Sequence, residues 1–258
     1  MPEGDTIRYA ANRMRPVLEG RVPEEIATPQ PRHAMDRWPE RLAGRAVRSV
    51  DTHGKHLFLR FDNDLVLHSH LRTSGIWGVY ERGRRWGRAA RRAWLVLRTP
   101  THEVVEFDGP VLELLTESPT RFDRRLAALG PDVLADEFDQ ARFLRRLRRD
   151  DPTRPIGVAL LDQRTIAGIG NLWKAEACWE ARVSPWRATA DVSDEEALAV
   201  IAAVRPAMLA SASRGHTERE VRVYGRAGRA CPRCGARIRA RGQGDDNRRT
   251  FWCAECQV

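Results

Sequence analysis

No run of apolar residues in this chain approaches the roughly 18 that a membrane-spanning helix needs. Near the start no apolar core follows a basic segment; acids stand at Glu3 and Asp5 instead. Neither a membrane protein nor a secreted one is expected, and the expected compartment is the cytosol. Lysine is nearly missing: of 44 basic residues only Lys55 and Lys174 are lysines, and the rest are arginine. A GC-rich genome would produce that bias with no functional meaning. It does make the two survivors informative. Arginine keeps its proton in a protein, whereas lysine can exchange one when its pKa falls.

What is present describes a globular, basic protein. Its 258 residues suffice for one large or two modest domains, and 42% hydrophobic with 31% charged residues is the composition of a soluble fold. The net charge of +9 and pI near 10.1 favour a polyanionic partner, by neutralising phosphates and releasing counterions. A basic surface with no specific partner is the other reading. No long internal repeat is visible.

The hydrophobic period changes along the chain. Ile7, Ala10, Ala11, Met14 and Leu18 fall at helical spacing before Gly20, so residues 1–20 are expected to form a helix after an opening turn. Asp5 is a candidate N-cap. From about Val47 the period becomes two. "VRSVDTHGKHLFLRF", "DLVLHSHL", "GIWGVY", "AWLVLRT" and "HEVVEFDG" read as short strands of an all-β sandwich or barrel. Between two of them, "ERGRRWGRAARRAW" carries six arginines, either a solvated loop or a backbone-contacting one. At "LGPDVL" (129–134) the pattern turns helical, placing a boundary near residue 130. "DEFDQARFLRRLRR" has Phe138, Phe143, Leu144 and Leu147 on one face, and Ser193 with Glu196 fits a helix-capping pair. Helix is expected until about Ser213.

Three constellations carry chemistry. The first is Cys231-Pro-Arg-Cys234 and Cys253-Ala-Glu-Cys256, a C-x2-C-x18-C-x2-C pattern. Two such knuckles supply four thiolates to one zinc, and a four-thiolate site is closed and therefore structural. A disulfide pairing is the weaker alternative in a chain without signs of secretion. Between the knuckles, strand-like residues flank a turn around 242–247, a β-hairpin with Arg248 and Arg249 near its tip. Cys178, among apolar helix neighbours, reads as an ordinary buried thiol. The second is "AGIGN": Gly168 and Gly170 permit a tight turn, and the helix opening at Asn171 offers backbone donors and an amide to a phosphate. A plain helix–turn–helix connection is the alternative. The third is the opening, "MPEGDT". The initiator Met is normally trimmed before a small residue, which would leave Pro2 with a secondary amine of pKa roughly 8. Amines attack electrophilic carbons and form iminium intermediates, and Glu3 beside it could move protons. Equally, many proteins begin Met-Pro without catalytic reason.

Together "PEG", "GKHL" near residue 55, "AGIGN" and a terminal C4 finger with an arginine tip closely resemble the formamidopyrimidine-DNA glycosylase and endonuclease VIII family of base-excision repair enzymes. The match runs through the chain in order. "PEGDT", "LLDQRTIAGIGN" and "VYGRAG" look most like the actinobacterial endonuclease VIII branch. The resemblance implies an α+β multidomain fold. It has an N-terminal catalytic β-sandwich with a flanking helix (1–130), a helical helix-two-turn-helix DNA-binding domain (131–214) and a C4 zinc-finger β-hairpin (215–258). It implies a bifunctional glycosylase and AP lyase. Pro2, freed of Met1, attacks C1′ of the damaged nucleotide, and Glu3 assists ring opening and later proton steps. Lys55 supports catalysis and binds phosphate, Asn171 with Gly170 grips backbone phosphate, and Arg248, with Arg249 adjacent, clamps the flipped nucleotide's phosphates. The strand is cut by β- and then δ-elimination. One structural zinc on Cys231, Cys234, Cys253 and Cys256 is implied, with no catalytic metal. The implied partner is double-stranded or abasic DNA, with no membrane, monomeric action and a bacterial cytoplasmic location on the nucleoid.

Two departures are visible. The loop that fills the vacated base stack reads "SHLRTSG": Arg72 could enter the duplex, but Thr73 is a poor wedge. "TRFDRR" (120–125) is a loose counterpart of the arginine–phenylalanine pair that probes the opposite strand. Both favour oxidised pyrimidines over 8-oxoguanine. The competing readings are a noncatalytic zinc-finger DNA-binding protein of the same fold and a zinc-ribbon interaction protein whose N-terminus is irrelevant.

Overall fold

A computed structural model describes every residue except Met1, Ala34, 118–123 and 216–218, and the side chains of 124 and 125. Two compact units emerge, Met1–Ala127 and Ala128–Val258.

The first unit is a sandwich, which decides the sandwich-or-barrel question. Helix α1 (Gly4–Leu18) precedes β1 (Glu25–Ala27), the short α2 (Trp38–Leu42), and strands β2 (Val47–His53), β3 (His56–Phe61), β4 (Leu65–His70), β5 (Ile76–Glu81), β6 (Ala93–Arg98), β7 (His102–Phe107) and β8 (Val111–Thr116). A short α3 (Arg124–Ala127) ends the unit. One antiparallel sheet runs β1-β6-β7-β5 and the other β2-β3-β4-β8. Alternation supplies the shared core: Val50, Leu57, Leu59, Leu67, Leu95, Leu97 and Val104 pack with Ile7, Met14 and Leu18 of α1. Strands β1 and β8 have no strict alternation and were not expected from the sequence. In the arginine-rich loop, Arg82 pairs with Glu24, and Arg88 and Arg92 both pair with Asp108. These cations are committed to the fold.

The expectation for Asp5 is corrected. Helix α1 begins at Gly4 with Glu3 in extended conformation at the N-cap, and Asp5 lies buried in the first turn. A carboxylate there complements the positive end of the helix dipole without capping it.

The second unit contains α4 (Gln140–Arg149), α5 (Ile156–Ala159), α6 (Asn171–Glu180), α7 (Asp194–Arg214) and the hairpin β9 (Arg239–Gln243) and β10 (Arg248–Trp252). In α4, Phe143 and Leu147 are buried, with Phe138 and Leu144 packed alongside. The capping box of α7 forms: Ser193 Oγ accepts from Glu196 N (3.2 Å), and Ser193 N donates to Glu196 Oε2 (2.8 Å). By length and composition alone α7 could cross a membrane. Arg205 interrupts its apolar run, and Val200, Ile201, Val204 and Met208 are buried in the unit's core. A separate cluster joins α6 to the hairpin through Trp179, Val223, Ile238, Phe251 and Cys253.

One buried polar link joins the two sheets of the sandwich. Ser69 Oγ on β4 donates to Glu106 Oε1 on β7 (2.7 Å) and accepts from the Trp77 indole (3.2 Å). A Cβ at Gly109 would collide with this carboxyl. Burial, only partly opposed by the Ser69 hydrogen bond, pushes Glu106 up to about 8. The fold therefore keeps its proton above pH 4.5, where the unfolded chain has lost it, and stability falls as pH rises toward 8. Glu106→Gln should flatten that slope. In thermal denaturation the variant should match the parent near pH 4 and melt ~5 °C or more above it at pH 8. An equal pH slope in both proteins would contradict the buried neutral carboxyl.

Candidate functional site

In the first unit the predicted residues cluster at strand and helix ends. Pro2 is half-buried, and Glu3 is 3% exposed at the start of α1, where its carbonyl accepts from Thr6 N (3.0 Å) and Ile7 N (3.2 Å). These bonds make the first residues part of a rigid helix end. Helix α1 is fixed in turn to β2: Arg15 Nε donates to Val50 O (3.0 Å), and Val50 N donates to Glu19 Oε1 (2.8 Å).

Lys55 occupies the two-residue turn between β2 and β3, where Gly54 takes the left-handed conformation (φ 58°) that a tight hairpin requires. Arg72 follows β4 on another tight turn, exposed and itself left-handed (φ 50°). A non-glycine residue held there stores strain, as functional loops often do. Between the two lies His70. Burial, with the charges of Arg72 and Lys55, takes His70 down to about 4, so it is neutral at pH 7. Its Nδ1 accepts from Arg72 N (3.2 Å), which leaves the proton on Nε2.

Behind it runs a polar relay. His68 Nδ1 donates to Glu113 Oε2 (3.1 Å), and His68 Nε2 accepts from His56 Nδ1 (2.8 Å). The His56 and His70 rings lie 4.7 Å apart. The sequence signal for these histidines was present in "GKHL" and "HSHL", but alternation explained them as strand residues and nothing more.

In the second unit Asn171 opens α6 after Gly170, with Gly168 at φ 103° making the turn. Asn171 Nδ2 donates to Arg249 O (2.9 Å), so the start of the helix is fastened to β10 beside Arg248. One turn later Lys174, fully buried, donates to Thr250 Oγ1 (2.5 Å) and Gln243 Oε1 (3.4 Å), and Thr250 Oγ1 also donates to Gln243 (2.8 Å). Gln243 Nε2 donates to Pro185 O (2.7 Å). Two turns in, the Glu176 carboxylate accepts from the N–H groups of Arg222 (2.8 Å), Val223 (3.0 Å) and Tyr224 (2.8 Å), holding the chain that leads into the finger. Helix α6 thus holds the hairpin at two successive levels and the chain leading into the finger at a third. The sequence singled out Lys174 for rarity but did not reveal this role.

At the hairpin tip Arg248 pairs with Asp246 through Nη2 (3.0 Å) and Nε (3.1 Å). Arg249 extends toward the Phe251 ring, its guanidinium carbon 5.6 Å from the ring centre. Of the predicted phosphate-binding group, Gly170, Asn171, Arg248 and Arg249 are brought together. The TRFDRR stretch is not testable: 120–123 and the side chains of 124 and 125 lie outside the described residues, as does Met1.

The four cysteine sulfurs lie within 4.8 Å of one another, with Cys231–Cys256 at 3.9 Å and Cys234–Cys253 at 3.5 Å. Four sulfurs bound tetrahedrally at zinc–thiolate distance would be separated by ~3.8 Å, so the donor set fits such an ion. Burial opposes ionisation of Cys231, but N–H donors from Arg233, the Trp179 indole and Cys234 bring it down to about 6. Cys178 stands apart as expected, buried, with burial pushing its thiol up to about 12 against the opposing charge of Lys174.

Comparison with known proteins matches residues 1–123 to the formamidopyrimidine-DNA glycosylase N-terminal domain and 129–222 to the formamidopyrimidine-DNA glycosylase H2TH domain. A protein of Streptomyces coelicolor named "Probable endonuclease 8 2" is 39% identical over all of this chain and 94% of its own length. "DNA-(apurinic or apyrimidinic site) lyase Nei2" of Mycolicibacterium smegmatis is 35% identical over all of this chain and 99% of its own. The fold is shared with Lactococcus lactis Fpg solved in complex with abasic-site DNA, at a TM-score of 0.84 and 22% identity over the full length of both chains.

The ties around α6 make a direct forecast. Thr250→Val keeps the shape of a fully buried side chain but removes the hydroxyl that Lys174 and Gln243 share. The loss should be about 1–3 kcal/mol in denaturant unfolding. A variant as stable as the parent would show that these bonds do not hold the hairpin.

Proposed function

The chain belongs to the formamidopyrimidine-DNA glycosylase and endonuclease 8 family, and from that premise we propose how its own residues act as a base-excision-repair DNA glycosylase and AP lyase. Pro2, once Met1 is removed, is the nucleophile. Its amine would sit at the positive end of α1, which disfavours a charged ammonium and favours the free base. The nitrogen attacks C1′ of the damaged nucleotide, the N–C1′ bond forms and the bond from C1′ to the base breaks. Glu3 delivers a proton to the ring oxygen as the sugar opens to the iminium. The iminium acidifies a 2′ proton. Its removal expels the 3′ phosphate, and a second elimination expels the 5′ phosphate. The single observation that carries this reading is the seating of Glu3, buried at the helix start and joined directly to Pro2.

Lys55 beside His70 supplies positive charge for phosphate near the lesion, and neutral His70 offers its Nε2 proton as a hydrogen-bond donor. Asn171 and the Gly170 turn hold backbone phosphate, and Arg248, with Arg249 adjacent, clamps the flipped nucleotide. Cys231, Cys234, Cys253 and Cys256 would hold one structural zinc, whose contribution is rigidity of the hairpin. Substrates are oxidised pyrimidines in double-stranded DNA and abasic sites, processed by a monomer on the bacterial nucleoid in the cytoplasm. Arg72 is the residue offered to the vacated stack, since Thr73 is too small a wedge.

Borohydride should trap the wild-type protein covalently on an abasic duplex. Pro2→Gly should trap at least ~100-fold more slowly, as expected for loss of an activated nucleophile. A form with residues appended before Pro2 should bind the duplex but not be trapped. Equal trapping of the extended form would exclude the Pro2 amine. Salt-dependent binding without trapping by a form of verified N-terminal mass would favour the noncatalytic DNA-binding reading instead.

The Arg248–Asp246 pair must open for Arg248 to reach a phosphate. Asp246→Asn should tighten binding to an abasic-analogue duplex about twofold to fivefold, the equivalent of ~0.4–1 kcal/mol for an exposed ion pair. Arg248→Ala should abolish that gain. Weaker binding by Asp246→Asn would mean that Asp246 orients Arg248 productively.

A further inference from the structure

The most concentrated charge in the second unit is not at the residues described so far. Arg142, Arg145, Arg146 and Arg149 follow the i, i+3, i+4, i+7 pattern and form one face of α4, opposite the buried Phe143 and Leu147. Like charges at this spacing repel. Helix α4 carries no acid in its first turn. The two acids that line the recess beside it, Asp150 and Asp162, are already engaged: Asp150 by Arg154, and Asp162 by Arg154 and Arg164. Arg145 and Arg149 are exposed and form no ion pair among the described residues.

Half of this face is also pre-oriented. Arg142 Nη2 donates to Leu129 O (3.0 Å), and Arg146 Nη1 donates to Ala128 O and Arg164 O (both 2.8 Å). Burial and the charges of Arg142 and Arg149, only partly opposed by Asp162, hold Arg146 below its ordinary value. The four arginines and Arg164 border a recess of about 490 Å³. A second recess, of about 270 Å³, shares Asp162 and Arg164 with it and reaches Arg248 at the hairpin. The two recesses thus adjoin at the Arg164–Asp162 pair, with the arginine face of α4 on one side and Arg248, beside Asp245 and Asp246, on the other.

We propose that this face, together with Arg164, is a second phosphate-binding track, next to the recess that Arg248 lines, that holds the backbone of duplex DNA outboard of the lesion. The inference rests on the reading of the chain as a DNA repair enzyme. The dimensions fit: seven residues of α-helix rise ~10 Å, the axial span of about three phosphates on one strand. Arginines that point along a groove rather than around a closed pocket suit a repeating polyanion better than a single small anion. The track recognises no bases, so it adds affinity without sequence preference.

The test uses the full-length protein and duplexes carrying a stable abasic analogue, one of about 12 base pairs and one of about 30. Arg145→Gln/Arg149→Gln lies outside the catalytic and lesion-clamping residues, and the variant should melt no lower than the parent. On the long duplex its affinity should fall roughly tenfold and its salt dependence should become shallower by about two in log–log slope, near 0.9 for each phosphate released. On the short duplex, affinity and cleavage of the corresponding abasic substrate should be unchanged. Extending only one arm of the duplex should identify a single side of the lesion as the sensitive one. Equal weakening on both lengths would reduce the arginines to a diffuse field and overturn the track, as would no change on the long duplex. Failure of the parent to bind even the short duplex would instead sink the DNA-repair reading on which the track depends.

Discussion

One buried ammonium governs the geometry of the second unit. Lys174 has no exposure to solvent, and removing a charge of that kind from water costs several kcal/mol unless it is well solvated by the protein. Thr250 and Gln243 supply oxygens, one from each strand of the hairpin. The cost of leaving the ammonium unsatisfied therefore selects the hairpin register in which both face α6. In that register Arg248 pairs opposite Gln243 at the turn end of the ladder, and the Arg249 carbonyl reaches Asn171. A slip of one residue would turn Thr250 away from the ammonium and carry Arg248 to the other face. The placement of an exposed arginine is thus set by a buried lysine.

The first unit solves a different problem, which is how to hold a chain terminus still. Terminal residues ordinarily fray. Here residues 2 and 3 lead into a helix whose first donors close on the Glu3 carbonyl, and whose apolar face, Ile7 to Leu18, is buried between the sheets' residues. The sandwich then brings the β2–β3 turn, with Lys55, and the turn after β4, with Arg72, close enough to His70 for both charges to act on it. A histidine surrounded by cations and withdrawn from water stays neutral, so it can add a hydrogen-bond donor without adding to the charge already there.

Much of this was legible from residue patterns. Five period-two runs placed the six strands β2 to β7, helical spacing placed α1 and α4, and the cysteine spacing anticipated four clustered sulfurs. What could not be read depends on long-range contacts. Strand β1 has three residues, too few for a period. Asp5 had the right chemistry for a cap but stands two residues too late, because backbone hydrogen bonding from Thr6 and Ile7 makes Glu3 the boundary. His68 and Glu113 are 45 residues apart and meet only through the β4–β8 pairing. Asp246, within the hairpin turn, looked like turn chemistry, and only geometry reveals it as the counter-ion of Arg248. The opening residues and the scarcity of lysine made Pro2, Glu3 and Lys55 candidates, but a Met-Pro start without chemistry fitted equally, and only the family resemblance favoured the chemical reading.

The near-absence of lysine can now be given physical content at one of its two positions. A guanidinium presents five donors in a rigid plane and suits exposed, extended partners such as carboxylates, backbone carbonyls and phosphates. The arginines of α4 and of the 82–92 loop use it in that way. The pocket between α6 and the hairpin is different: it is closed and offers a threonine hydroxyl and a glutamine carbonyl to a single point. Arginine placed there would bury donors that have no acceptors, at a cost comparable to the bonds it made. Lys55 sits half-buried on the turn between β2 and β3 rather than in a closed pocket. Under the proposed function its retention against the same arginine bias fits chemistry, because an amine, unlike a guanidinium, can give up and recover a proton.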